Sequence, residues 1–309
     1  MLMQIVAAAL VTGSTVQDTD TTFAVDPRLR LDVSNYSGEI VLRTWSRNEI
    51  RLRADHSRRD RIVVDHTSSE IRIRAASWRE WADQFEIDIE REHVGVHIES
   101  PRYPSIINYE LTVPESMNLE LGGPYTDVTV EGTQGEVFIM VREGDVTVLG
   151  GAGRVSVRSV EGEVRLEGSQ GNVRVLAMDG DIYILDAAGE LAVETTDGDV
   201  ILERVQARNV EVVSVDGDIE FTGTVQPQGL YLFSTHDGDV TVGIPEDASA
   251  RVTIATFDGE FSSDFPITIP ERIRGRRLNF TLGAGDAQIE IEAFDGDIDL
   301  IRFTPVRRR

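Results

Sequence analysis

The sequence contains no cysteine, and all 30 of its basic residues other than histidine are arginine. Without cysteine there is no disulfide, no thiol nucleophile, no thiolate metal site and no lipid attachment through sulfur. Without lysine there is no Schiff-base chemistry, no lysine general base and no phosphate-loop lysine. Positive charge is scarce overall: 54 Asp and Glu outnumber the 30 Arg, for a formal net charge of -24. Such a chain repels polyphosphates and gains nothing from counterion release, which argues against nucleic acid or an anionic membrane surface as partner. Beyond the N-terminus no run approaches the roughly 20 apolar residues of a membrane helix, so no transmembrane segment is expected. What is present is an ordinary globular balance of 40% hydrophobic and 27% charged residues over 309 positions. That is enough for about two domains, or for one elongated repeat unit.

Met1 to Val11 is apolar apart from Gln4 and is followed by the small residues Thr12-Gly13-Ser14-Thr15. Residues 1–16 therefore read as an export segment, although the positive leading region is missing, as it would be if the natural start lay upstream of Met1. The expected location is outside the cytoplasm, in the periplasm, on the cell surface or in the medium.

The strongest feature is a recurring acidic-Gly-acidic-apolar tetrad. Its members include Glu143-Gly144-Asp145-Val146, Asp179-Gly180-Asp181-Ile182, Asp197-Gly198-Asp199-Val200, Asp216-Gly217-Asp218-Ile219, Asp237-Gly238-Asp239-Val240 and Asp295-Gly296-Asp297-Ile298. From Gly144 onward, through Gly162, Gly180, Gly198, Gly217, Gly238, Gly259 and Gly296, the glycines are 18, 18, 18, 19, 21, 21 and 37 residues apart. Each period holds two short runs in which apolar residues alternate with polar ones, such as Ile182 and Ile184, then Leu191 and Val193. This is the two-residue period of a half-buried strand. Asp-Gly corners suit the hairpins of an antiparallel meander, and they equally suit a solenoid in which each period is one coil. A near-constant period with like residues at like positions favours the solenoid, because stacked coils place Val on Ile on Val. The predicted fold is all-β: a single-stranded, β-helix-like solenoid of about 18–21 residues per rung, with Ile182, Val200 and Ile219 at equivalent inward positions.

Residues 27–125 carry a looser version of the pattern and read as an irregular N-terminal β section. Residues 126–303 read as regular rungs, and 304–309 as a basic tail. Ser77 to Phe85 is the one helical candidate, with capping-box spacing between Ser77 and Glu80 and with Trp78, Trp81 and Phe85 on one face.

The reiterated Asp-Gly-Asp-Ile/Val tetrads, the Gly-x-Val-x-Val half-repeats at Gly153–Val157 and Gly171–Val175, and the strand end Ile244-Pro245-Glu246 resemble a bacterial family of adhesin-like domains of unknown function. The resemblance spans about residues 30–303. It implies a β-helix-like, toast-rack fold and an association with the cell envelope, and it supplies no catalytic residues.

Three constellations are candidates for chemistry. In stacked rungs Asp197 and Asp216 form one carboxylate row and Asp199 and Asp218 another, and hard cations such as Ca2+ prefer such oxygen ligands. The competing reading, which is favoured, is that Asp and Gly simply make these turns, with no cofactor. The spacing of calcium-binding nonapeptides is absent. The five histidines, His56, His66, His93, His97 and His236, read as surface residues; His93 and His97 would share a strand face but have no third ligand. Trp45, Trp78 and Trp81 are the only tryptophans, all in the first 81 residues. They are candidates for stacking on a ligand or for plugging the end of the solenoid.

Acids recur at every corner and are not gathered in one cleft, and no nucleophile elbow, metalloprotease helix or phosphate loop occurs. The expected function is therefore a non-enzymatic, exported envelope or surface protein that binds a cell-surface glycan or protein. A polysaccharide-active β-helix enzyme and a cation-dependent surface-layer component are the alternatives.

Overall fold

The computed structural model describes residues 16–58, 60–76, 85–88, 93–96, 106–267 and 276–304, and no α-helix occurs among them. The helical candidate falls at 77–84, outside the described residues, and Phe85 opens a strand. The chain divides into two units, Met1–Gly162 and Glu163–Arg309.

The first unit contains β1 (Val16–Ala24), β2 (Arg30–Ser34), β3 (Ser37–Trp45), β4 (Glu49–Ser57), β5 (Ile62–His66), β6 (Glu70–Ala75) and β7 (Phe85–Asp88). It continues with β8 (His93–Val96), β9 (Ile107–Pro114), β10 (Asn118–Glu131), β11 (Val137–Glu143), β12 (Val146–Leu149) and β13 (Val155–Glu161). On one side β6, β2, the first half of β10, β11 and β13 stack in parallel, so that Ile71, Leu31, Leu119, Val137 and Val155 form one inward ladder. On the other side β9, β3, the second half of β10 and β12 do the same through Tyr109, Ile40, Val128 and Val146. The coil β2–β3, first in sequence, is thus second in space: the coil closed by β6 and β9 lies outside it. Antiparallel strands end both stacks, with β5 on β6, β4 on β9 and β1 on β4.

The second unit contains β14 (Val164–Glu167), β15 (Asn172–Leu176), β16 (Ile182–Leu185), β17 (Glu190–Glu194), β18 (Val200–Val205), β19 (Asn209–Val213) and β20 (Ile219–Gly223). It continues with β21 (Leu230–Asp237), β22 (Val240–Ile244), β23 (Ala250–Asp258), β24 (Phe261–Ser263), β25 (Arg276–Leu282), β26 (Ala287–Asp295) and β27 (Ile298–Arg302). One parallel stack runs β14, β16, β18, β20, β22, β27, β24. The other runs β15, β17, β19, β21, β26, β23 and is closed by antiparallel β25. Ile182, Val200 and Ile219 are direct neighbours in register and fully buried, as the repeat predicts. Among the described residues the 37-residue gap before Gly296 does not hold an extra coil. It holds the capping strand β25, after which the chain returns to insert β26 and β27 between two coils already laid down.

Alternation explains the core. Along the stacked parallel strands alternate residues are buried, most of them Val, Ile, Leu, Phe or Tyr, and each such side chain contributes about 1.5–3 kcal/mol relative to exposure. The corners are held closer than any side chain permits. A Cβ on Gly217 would lie 2.4 Å from the Gly198 carbonyl oxygen, and one on Gly238 would lie 2.4 Å from that of Gly217. The tetrad glycines are therefore required by rung-to-rung contact as well as by turn geometry.

Candidate functional site

The acidic corners serve the fold first. Asp179, Asp197, Asp216 and Asp237 stack as successive parallel bridges. The acids after the glycines form a hydrogen-bonded chain: the Asp199 amide donates to Asp181 Oδ1 at 3.0 Å, that of Asp218 to Asp199 Oδ1 at 2.9 Å, and that of Asp239 to Asp218 Oδ1 at 2.8 Å. The Asp297 amide donates to Asp239 Oδ1, and the Glu260 amide to Asp297 Oδ1, both at 2.7 Å. Each carboxylate thus satisfies the amide of the next rung. Of the proposed cation ligands, Asp199 and Asp218 both belong to this chain, whereas Asp197 and Asp216 lie in the other row. Among the described residues no group of three or more acidic or histidine side chains is placed to hold a metal ion. The field of the corner acids is visible at Tyr183, whose phenol is raised above its ordinary value chiefly by Asp181, the acceptor of its hydroxyl at 3.2 Å.

Two residues before the tetrad, a hydroxyl turns inward and closes the corner. Thr195, Ser214 and Thr235 each donate to the carbonyl of the acid two positions on, Asp197, Asp216 and Asp237, at 3.2 Å. The residue between hydroxyl and acid has no such duty and faces outward. In spatial order this position reads Met178, Thr196, Val215, His236, Phe294, Phe257. Toward β23 it becomes a row of stacked rings. His236 lies 4.7 Å from Phe294 at 18°, and Phe294 lies 4.8 Å from Phe257 at 3°.

The row borders an open groove of about 420 Å³ on the outer face of β21, β26, β23 and β25, floored by Ser234, Ala255, Glu292 and Arg277. A second concavity of about 380 Å³, lined by Leu230, Arg251, Asn279 and Glu290, continues along the same strands. Arg277 reaches across β23 to β26, where its guanidinium binds Glu290 at 2.7 Å and also Glu292. Those two carboxylates, Glu292 first, hold Arg277 protonated more firmly than an isolated arginine. Of the five large apolar side chains most exposed among the described residues, four lie on this side: Val215 (49%), Leu230 (51%), Phe257 (60%) and Phe294 (48%). Concentration of exposed apolar surface marks contact sites in a way that scattered residues do not.

Of the three tryptophans read as candidates for stacking on a ligand or for plugging the end of the solenoid, Trp45 is the one among the described residues. Trp45 sits half-buried in the β3–β4 turn, its indole N–H donating to the Glu49 carbonyl at 2.8 Å and Arg47 stacked 5.1 Å from its ring centroid. Trp78 and Trp81 lie outside the described residues, as does His97. His56, read from sequence as a surface residue, is buried: its ring bridges the Thr19 hydroxyl and the Ser57 carbonyl, both at 2.9 Å, and pins β1 to β4. Sequence reading missed Phe257, Phe294 and His236, although the signal was there in the position preceding each tetrad acid.

No helix among the described residues is long and apolar enough to cross a membrane. No curated protein matches the sequence. Among solved structures the chain is similar to a candidate adhesin from Bacteroides fragilis (10% identity, 93% of this chain and 97% of that one, TM-score 0.41). It is also similar to a candidate lipid-binding protein from Parabacteroides distasonis (8% identity, 93% and 97%, TM-score 0.33). A candidate cell adhesion protein from Clostridium sporogenes aligns over 93% of this chain and 100% of its own, with 10% identity and a TM-score of 0.23. Superpositions this loose do not bear on activity. The sequence profile of one family matches residues 15–301, nearly the whole chain, and with the stacked parallel coils it makes this protein a member of the Toastrack DUF4097 family.

Proposed function

We propose that the protein is a non-enzymatic, exported module of the cell envelope or surface, and that it engages its partner through the outer face of β21, β26, β23 and β25. The observation that carries this reading is the exposed ring row His236, Phe294, Phe257 beside a groove. Three stacked rings left at the surface are not needed for the core, which is complete beneath them in Ile289, Ile291 and Val252. Among the described residues around the groove, the one histidine is packed against a phenylalanine and the glutamates are engaged by Arg277, so none is paired with a nucleophile as a base. The test compares the intact protein with the double variant Phe257→Ser/Phe294→Ser for retention on envelope fractions and on a glycan array, with a polysaccharide hydrolysis assay alongside. Retention should fall at least tenfold with the melting temperature unchanged, and no product should form. Turnover that depends on a single carboxylate, or equal retention of both proteins, would sink the reading. A reporter fused after residue 26 and assayed for export tests the location separately.

A further inference from the structure

Resting on that reading of the face, we infer that its ligand is a basic, arginine- or lysine-bearing segment of a partner protein. The rings themselves discriminate between ligands. Phe294 has a ring against each of its faces, His236 on one side and Phe257 on the other, so the row presents mainly ring edges outward. A sugar stacks on an open ring face and finds none at Phe294; an aliphatic stem packs well against edges. The residue following each ring is a carboxylate, Asp237 after His236 and Asp295 after Phe294, and the rung before adds Asp216 after Val215. Among the described residues no cation pairs with Asp216, Asp237 or Asp295, although they repeat at the rung spacing of about 4.8 Å. An apolar ridge flanked by a row of negative charge is complementary to side chains with methylene stems and cationic heads, which cover apolar surface while the head seeks a carboxylate. The same face already holds a guanidinium against carboxylates, in Arg277 laid across it onto Glu290 and Glu292. The net charge of -24 steers cationic partners toward the protein and repels phosphate-bearing ones.

General attraction of a polycation to an acidic protein has to be separated from this site. The probe is a fluorescent nona-arginine peptide, titrated by anisotropy against the full chain in 0.15 M and 0.5 M NaCl, with a nona-serine peptide as reference. Saturable nona-arginine binding should weaken at least tenfold in Phe257→Ser/Phe294→Ser, which leaves the charge unchanged, and in Asp237→Asn/Asp295→Asn. It should stay within twofold in Glu39→Gln/Glu220→Gln, which removes two exposed acids elsewhere. Circular dichroism melts confirm folding; should the serine pair not fold, the asparagine pair against the glutamine pair decides alone. Equal weakening in both acid pairs, or unchanged binding in the serine pair, overturns the inference as charge attraction alone. If the peptide does not bind while envelope or glycan retention still depends on Phe257 and Phe294, the basic-segment ligand is wrong and the binding face stands. If neither depends on them, both fall.

Discussion

Replacing Gly217 by alanine tests whether the tetrad glycines exist for the turn or for the stack. Gly217 has φ +133°, a conformation nearly confined to glycine, and forcing alanine into it costs about 1–3 kcal/mol. The larger effect is contact: the new methyl would stand 2.4 Å from the Gly198 oxygen, so neighbouring rungs must part by about 1 Å to reach ordinary van der Waals separation. That movement strains the bonds that clamp the corner, from the Gly217 amide to the Asp237 carbonyl and from the Asp216 amide to the Thr196 carbonyl, both 2.9 Å. Losing one or two of these adds about 1–3 kcal/mol, for a total of roughly 2–6 kcal/mol, a large share of the ~5–15 kcal/mol of a typical domain. Gly285 is the matched control. It has φ +77° in the β25–β26 turn, and its nearest neighbours are the side-chain atoms Thr281 Cγ2 at 3.0 Å and Arg251 Cγ at 3.2 Å, which can move aside. Gly285→Ala should cost only about 1 kcal/mol, the left-handed penalty partly offset by reduced freedom of the unfolded chain. Urea denaturation followed by far-UV circular dichroism reads both. Similar midpoints for the two variants would mean that the corners are ordinary turns and that the close stacking of Gly198 and Gly217 does not exist.

Val200→Asp places a charge on a fully buried ladder position between Ile182 and Ile219 and should destabilise by several kcal/mol, whereas Thr196→Asp, on the exposed row, should be near neutral by the same denaturation assay; equal effects would break the register. Asp199→Ala removes the acceptor of the Asp218 amide and should cost about 1 kcal/mol, and Asp197→Ala, which accepts no such bond, should cost less; the reverse order would show that the hydrogen-bonded chain of carboxylates is not a stabilising element. On β4, Asp55 sits directly opposite Asp18, and partial burial first, then Asp18 and Glu110, raises its carboxyl above the ordinary 3.8. The folded state therefore binds the proton more tightly than the unfolded state. This component of stability is present at low pH and is lost as pH rises from about 3.8 through the raised value, so Asp55→Asn should remove that fall and stabilise the protein at neutral pH. A melting profile against pH with an unchanged slope in Asp55→Asn would exclude this account.

The rung and its register were legible because the periodicity and the chemistry coincide. An acid-Gly-acid corner every 18–21 residues positions each following apolar residue, and Ile182, Val200 and Ile219 do stack. The order of the outermost coils was not legible. Inward ladders of Val, Ile and Leu are interchangeable, so Val240 meets Ile298 as readily as it would meet Phe261, and the alternation pattern specifies which face a residue takes but not which coil lies next to it. Order at the ends is decided by the antiparallel caps, β5, β4 and β1 in one unit and β25 in the other, whose pairing depends on partners far away in sequence. A terminal coil with an unpaired edge invites further strands, and an antiparallel closing strand, with Asp18 and Asp20 on β1 or Arg277 on β25, leaves a charged edge in its place.

The same logic explains why the candidate face was harder to see than the acids. Repetition draws attention to residues that the coil itself needs: the glycine for rung contact and the following acid for the next amide. A residue that every coil requires cannot distinguish one stretch of the solenoid from another. Function that is local must be carried where the coil makes no demand, and the outward position before the tetrad is such a place. Its change from Met178 and Thr196 to His236, Phe294 and Phe257 is invisible to the period but concentrates rings at one end of the second unit, between a row of carboxylates and the Arg277 clasp. In a repeat protein, then, the informative residues are those that break the pattern at a position the fold leaves free. Here those residues lead from the acidic corners, which hold the coils together, to the aromatic row beside them, which the core does not need.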